Sequence, residues 1–246
     1  MGRGVALDVV VLAGGRCPED LLEATGVEFR AGLPVRGRPM VAWVIEAVSH
    51  LGKVIVVGAP PGLSPHQLEA GATFIESLGR GIQAVTSDSF LLVTGDLPFL
   101  TRAAVDDFIL RCDPAAMLSF PVIDVRESER AFPGMKRTSV KTREGRFTGG
   151  NIALIQTEQM RAALPVMERA YANRKKPLRL AAIVGIGTLF GVAIGQVVPR
   201  LLTLARLERA VGRCLGYPVR AIPTPFPEIG ADIDNLEQYR SIPREP

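Results

Sequence analysis

Through the first half of the chain, short apolar runs alternate with stretches of helical apolar periodicity. That is the pattern of a mostly parallel sheet covered by helices on both faces. Val5–Ala13 is an apolar run interrupted by Asp8 and stopped by Gly14 and Gly15, which reads as a buried first strand and not as a secretory signal. Pro39 precedes a stripe of Met40, Val41, Val44, Ile45 and Val48 at helical spacing, and Lys53–Gly58 reads as the second strand. Ala72–Ile75 is expected to form a third, short strand, with Leu78-Gly79-Arg80-Gly81 opening a helix that runs through Ile82 and Val85. Phe90–Thr94 then runs as a strand into Gly95-Asp96-Leu97-Pro98, and Thr101 is placed to cap a helix burying Ala104, Val105, Phe108 and Ile109.

The second half reads less regularly. Met117–Val122 is a strand candidate, Arg126–Arg130 a polar excursion, and Arg137–Lys141 with Arg146–Ile155 two strands joined at Glu144-Gly145. Helices are expected around Glu158–Ala172 and Thr203–Leu215, the second capped by Thr203 and ended by Gly216. Leu180–Pro199 carries no charge and approaches the ~20 apolar residues that span a bilayer. Its four glycines and its place between elements of one folded unit favour a buried or lid-forming helix pair, so membrane contact is not the favoured reading. The expected organisation is one domain over residues 1–246, with residues 176–218 as a helical insertion or lid within it.

Composition narrows the function classes. With 47% hydrophobic and 22% charged residues among 246, the chain can bury a substantial core and is not a disordered tail. Its 29 Lys and Arg against 25 Asp and Glu leave a net charge of +4, scattered without basic blocks, which fits small anionic ligands better than nucleic acid. Cys17, Cys112 and Cys214 lie far apart with no CxxC pair, so neither a disulfide framework nor a zinc site is indicated and a cytoplasmic setting is expected.

Candidate chemistry gathers where strands end. Leu12-Ala13-Gly14-Gly15-Arg16 turns the chain after the first strand. Glycines there let backbone N–H groups approach an anion, and Arg16 adds a charged donor, although a tight turn with a solvated arginine has the same appearance. Thr94-Gly95-Asp96 puts a carboxylate at the carboxyl end of a buried strand, a position suited to Mg²⁺. Asp232 and Asp234, two apart, share one face if the segment is extended and can meet the same cation. Asn235 with Gln238 also reads as a helix start, which gives one aspartate a structural alternative.

Taken in order, Leu12–Arg16, Arg30–Met40, Gly95–Thr101, Thr148–Asn151 and Asp232–Asn235 resemble the motifs of MobA-like nucleotidyltransferases over about two-thirds of the chain. The resemblance implies a Rossmann-like, GT-A-like α/β fold that moves a nucleoside monophosphate from an NTP to a phosphorylated small-molecule acceptor and releases pyrophosphate. It implies Mg²⁺ on Asp96 and Asp234 with Asp232 auxiliary, and a triphosphate wrapped by Gly14, Gly15 and Arg16. It also implies a nucleoside read near Gly79, Arg80 and Gly81, and an acceptor placed by Gly149, Gly150 and Asn151. Cys17–Asp20 stands where relatives carry a Ser-x-Arg-Met-Gly run, and Arg30 stands at their lysine, as a wider planar cation. These departures keep a nucleotide-binding regulator without catalysis as an alternative. The uncharged segment keeps a membrane-associated transferase acting on a lipid-linked acceptor as another.

Overall fold

The computed structural model describes residues 6–135, 137–172 and 202–242. The uncharged segment and most of the expected insertion therefore lie outside the described residues.

Strand β1 (Asp8–Ala13) is buried along its whole length. Val9 and Val11 pack into one apolar cluster, while Val10 and Leu12 pack into another on the opposite face. A strand that buries both faces must sit centrally, and β1 is flanked in parallel by β4 (Val54–Gly58) and β6 (Ser89–Thr94). Helices α2 (Met40–Val48) and α4 (Arg102–Arg111) cover the first face through Val41, Val44, Val105 and Phe108. Helices α3 (Phe74–Ala84) and α6 (Thr157–Ala172) cover the second through Leu78, Ile82, Met160 and Ala163. The short β5 (His66–Leu68) is the parallel edge beyond β4.

On the other side of β6 the sheet becomes mixed. Antiparallel β10 (Ile152–Gln156) lies between β6 and β7 (Leu118–Asp124), and β11 (Val219–Pro223) runs parallel to β7. The antiparallel strands β9 (Arg146–Gly149) and β8 (Val140–Lys141) complete a nine-stranded, mostly parallel α/β sheet. Strands β9 and β10 both follow β7 but are separated by Gly150-Asn151. A side chain at Gly150 would lie 2.6 Å from both Ile229 and Pro121, so only glycine lets the chain cross there. Helix α5 (Val125–Ala131) occupies the expected polar excursion, and α7 (Leu204–Leu215) is capped by Thr203 and ended by left-handed Gly216, as its sequence predicts.

A third apolar cluster stands apart from the sheet. It joins α1 (Glu19–Thr25), the β2–β3 hairpin (Pro34–Val35 and Arg38–Pro39) and α8 (Leu236–Ser241) through Leu21, Leu33, Met40 and Ile233. It brings the residues around Arg30 against the residues around Asp234.

Three sequence expectations are corrected, the first being Arg146–Ile155, which is not one strand but β9 and β10, broken at Gly150-Asn151. Ala72–Ile75 is not a strand: α3 begins at Phe74, because the Thr73 hydroxyl accepts the Glu76 N–H and the Glu76 carboxylate accepts the Ala72 N–H. This local cap outweighs the β-favouring composition of the segment. Of Arg137–Lys141 only Val140–Lys141 pairs as strand, since the Arg137 side chain turns inward to bind other groups.

Candidate active site

The carboxyl ends of β1 and β6 are neighbours, and the Gly95 N–H donates to the Leu12 carbonyl at 2.8 Å, locking the two strand ends together. Gly14 then passes so close to Ala70 that a β-carbon would lie 2.6 Å from that residue's own. The result is a cleft of about 330 Å³ walled by Leu12–Gly15, Gly71–Phe74, Ser77, Thr94–Asp96, Arg30, Ala31 and Tyr171.

Asp96 is buried at the base of this cleft. Burial pushes its carboxyl above the ordinary carboxylate value; nearby Arg30 opposes the rise, while Asp232 and Asp234 reinforce it. Asp234 is raised for the same reasons, burial first and then Asp232, again opposed by Arg30. Oxygens of Asp96, Asp232 and Asp234 lie within 4.8 Å of one another. Although Asp232 and Asp234 are not in a strand, the backbone between the 3-10 turn Pro227–Gly230 and α8 still carries both to the site. Asn235 caps α8, accepting the Gln238 N–H, while the Gln238 side chain accepts the Asp234 N–H. The capping role therefore falls to Asn235, and the aspartates are left for other work.

Two arginines hold the acidic trio. Arg30, in the 3-10 turn Arg30–Gly32, donates its backbone N–H to Gly15 and spans Asp96, at 3.2 Å, and Asp234 with its guanidinium. Arg137 binds Asp232, the Gly149 carbonyl, the Asn151 side chain and the Thr148 hydroxyl. Arg30 Nε, Thr94 Oγ1 and Asp96 Oδ1 nevertheless lie buried along this one cleft without a well-formed hydrogen bond, although the Thr94 hydroxyl is close enough to Asp96 to oppose the rise of its carboxyl. Folded proteins satisfy nearly all such atoms, so their concentration here marks a place where a ligand supplies what the chain does not. Three hard oxygen donors converging beside an unpartnered carboxylate oxygen fit a divalent cation such as Mg²⁺.

A second cleft, of about 370 Å³, lies on the other side of the trio and is lined by Arg137, Thr138, Thr148, Gly149, Gly150, Asn151, Asp232, Asp234 and Gln238. The carboxylates thus stand at the seam between two adjoining spaces. This is the arrangement required to bring two substrates together at one reacting atom.

The structure gathers most of the residues anticipated from sequence. Leu12, Ala13, Gly14, Gly15, Arg30, Thr94 and Asp96 line the first cleft, and Gly149, Gly150, Asn151, Asp232 and Asp234 line the second. Arg16 lies outside the lining: its exposed guanidinium pairs with Glu28 and sits 5.5 Å over the Phe29 ring. Gly79, Arg80 and Gly81 also lie outside it. Arg80 instead donates to the carbonyls of Glu69 and Ala70 and to Glu76, bracing the loop that does line the cleft. Sequence reasoning passed over Gly71–Phe74, Ser77, Tyr171 and Arg137. The Thr73-x-x-Glu76 capping pattern was the available signal for the first group.

Residues 9–134 match the model of the MobA-like NTP transferase domain. The chain is 30% identical over 168 residues to a 2-C-methyl-D-erythritol 4-phosphate cytidylyltransferase of Thermus thermophilus, an alignment covering 63% of this chain and 75% of that enzyme. Among solved structures, a hypothetical transferase from Thermus thermophilus superposes with a TM-score of 0.83 at 39% identity, covering 95% of this chain and 99% of the other. A solved structure of the Thermus thermophilus cytidylyltransferase shares the fold, with a TM-score of 0.57 at 21% identity over 96% and 97% of the two chains. The match of the family model to residues 9–134, over half of the chain, shows that the chain belongs to the MobA-like NTP transferase family and is a nucleotidyltransferase.

Proposed function

We propose that this enzyme transfers CMP from CTP to a phosphorylated small-molecule acceptor, with Mg²⁺ held by Asp96, Asp232 and Asp234. The observation that carries the reading is the acidic trio, with its unpartnered Asp96 oxygen, at the seam of the two clefts. CTP is favoured because the relative at 30% identity is a cytidylyltransferase acting on a phosphorylated alcohol.

In the balanced reaction an acceptor phosphate oxygen bonds to the α-phosphorus, the bond from that phosphorus to the bridging oxygen of the β-phosphate breaks, and pyrophosphate leaves with its electron pair. The acceptor phosphate is already ionised near neutrality, so no general base is needed and catalysis rests on positioning and charge neutralisation. When bound, Mg²⁺ supplies Lewis-acid polarisation of a phosphoryl oxygen. Gly14 and Gly15 let the backbone approach the triphosphate closely, and Arg30 brings positive charge to the phosphates from beside Gly15. Arg16, at the same loop, supplies a second cation when it turns from Glu28. Across the seam, Arg137 fixes Asp232 and the Asn151 side chain, so the acceptor meets a preorganised wall.

Cys17, Cys112 and Cys214 are free thiols, and among the described residues no helix is long and apolar enough to cross a membrane. The test offers each of the four NTPs with Mg²⁺ and a panel of phosphorylated alcohols and sugars, following pyrophosphate release. Turnover is expected with CTP; absence of both turnover and NTP binding across the panel refutes the reading.

A further inference from the structure

The described residues leave four large apolar side chains exposed: Leu22, Phe74, Leu110 and Val211. Phe74 is the aromatic one, and it alone of the four lines the first cleft. It is 46% exposed and belongs to none of the three apolar clusters, since Ile75, Leu78 and Ile82 carry the buried face of α3. The fold therefore draws little from this ring.

Its mounting is nonetheless firm. Thr73 and Glu76 cap the helix start on which it stands, the Gly71 N–H donates to the Ser77 hydroxyl at 2.9 Å, and Arg80 braces the carbonyls of Glu69 and Ala70. Phe74 and Ser77 are three residues apart, on one helix face, and both border the cleft. The cleft is consequently polar at its Asp96 and Arg30 end and aromatic at its Phe74 end. A nucleoside triphosphate has the same polarity: a charged tail, and a flat ring that prefers an aromatic partner to water.

We propose that Phe74 is a substrate-binding residue whose ring stacks on the nucleobase of the bound NTP. The proposal rests on the nucleotidyl-transfer reading and adds the residue that holds the base. Because every base offers a π-face, stacking supplies affinity without choosing among bases, and that choice is left to the polar groups around it.

The test measures, on the full chain, binding of each NTP with Mg²⁺ and of inorganic tripolyphosphate to the native protein, Phe74→Ala and Phe74→Tyr. Phe74→Ala is expected to weaken NTP binding by about 5- to 150-fold, to raise KM with kcat little changed, and to leave tripolyphosphate binding unaltered. Phe74→Tyr is expected to restore NTP affinity to within about threefold of native. Equal NTP affinity in Phe74→Ala overturns the proposal, as does an equal loss of NTP and tripolyphosphate binding, which would mean that the cleft itself had been disturbed. Native protein that binds tripolyphosphate but no NTP also overturns it. Native protein that binds neither removes the nucleotidyl-transfer reading first, and the stacking with it.

Discussion

Replacing Arg30 by methionine keeps the length and most of the apolar stem of the side chain but removes the cation that spans Asp96 and Asp234. At the 3.2 Å separation from Asp96, Coulomb's law with an effective dielectric of about 20 gives a gross attraction of about 5 kcal/mol. Relief of the arginine's own desolvation returns part of that. Asp96, whose carboxyl burial already raises, can escape further loss by taking up a proton. The expected net cost is about 3 kcal/mol, at the lower end of what breaking a buried pair costs. For a chain of this size that corresponds to a fall in Tm of about 6–12 °C in EDTA. The variant leaves three carboxylates facing one another with a single arginine, Arg137, on Asp232. Added Mg²⁺ should therefore stabilise Arg30→Met more than the native protein, because the ion supplies charge that the native site partly supplies itself. Thermal melts of both proteins in EDTA and across a Mg²⁺ series decide the matter. A variant that melts within about 2 °C of native in EDTA, or a Mg²⁺ gain equal in both proteins, refutes the view of Arg30 as the built-in counter-charge.

Asp96→Asn should lower kcat by at least about 100-fold while leaving the far-ultraviolet circular dichroism native, since it removes one of the carboxylates proposed to hold the cation and not a packing group. Arg137→Met should reduce turnover by a factor of about 10–100, because Asp232 and Asn151 lose the group that orients them; activity within twofold of native would reduce Arg137 to a structural role. Away from the site, burial alone would raise the Asp8 carboxyl, but hydrogen bonds from the Thr86 N–H and hydroxyl and the Ser87 N–H, with Lys53 nearby, hold it below the ordinary value. A folded-state pKa below the unfolded one contributes stability that is complete above about pH 4 and is lost as the pH falls through the depressed value. Asp8→Asn should accordingly cost about 1–3 kcal/mol near neutrality in urea melts, with the gap from native narrowing below about pH 4.

The central sheet was legible because burial on both faces leaves an unmistakable trace: β1, β4 and β6 are continuous apolar runs, each stopped by a glycine or a polar turn. Single-residue caps were legible as well. Thr101, Thr203 and Asn235 each accept the N–H three residues on, as their positions before apolar periodicity foretold. The start of α3 was hidden because Ala72–Ile75 has strand-like composition, while what decides its conformation is one hydroxyl and one carboxylate. Pairings across the chain left no local trace at all. Arg137 meets Asp232 from 95 positions away, and nothing near either residue announces the other. The three aspartates of the acidic trio could be named in advance because the spacing of Asp232 and Asp234 and the strand-end setting of Asp96 are local features. The arginine that orients one of them could not.

The cluster joining α1, the β2–β3 hairpin and α8 gives the enzyme an order of completion. Arg30 leaves the ribosome early, but its partner Asp234 follows 204 residues later, and Ile233 and α8, which seat that aspartate, emerge with it. Until then a nascent chain can assemble β1, β4 and β6 and their helices yet own only one carboxylate of three. A chain cut short between Asp96 and Asp232 therefore carries one carboxylate of the three, and the acidic trio is complete only once Asp234 has been made.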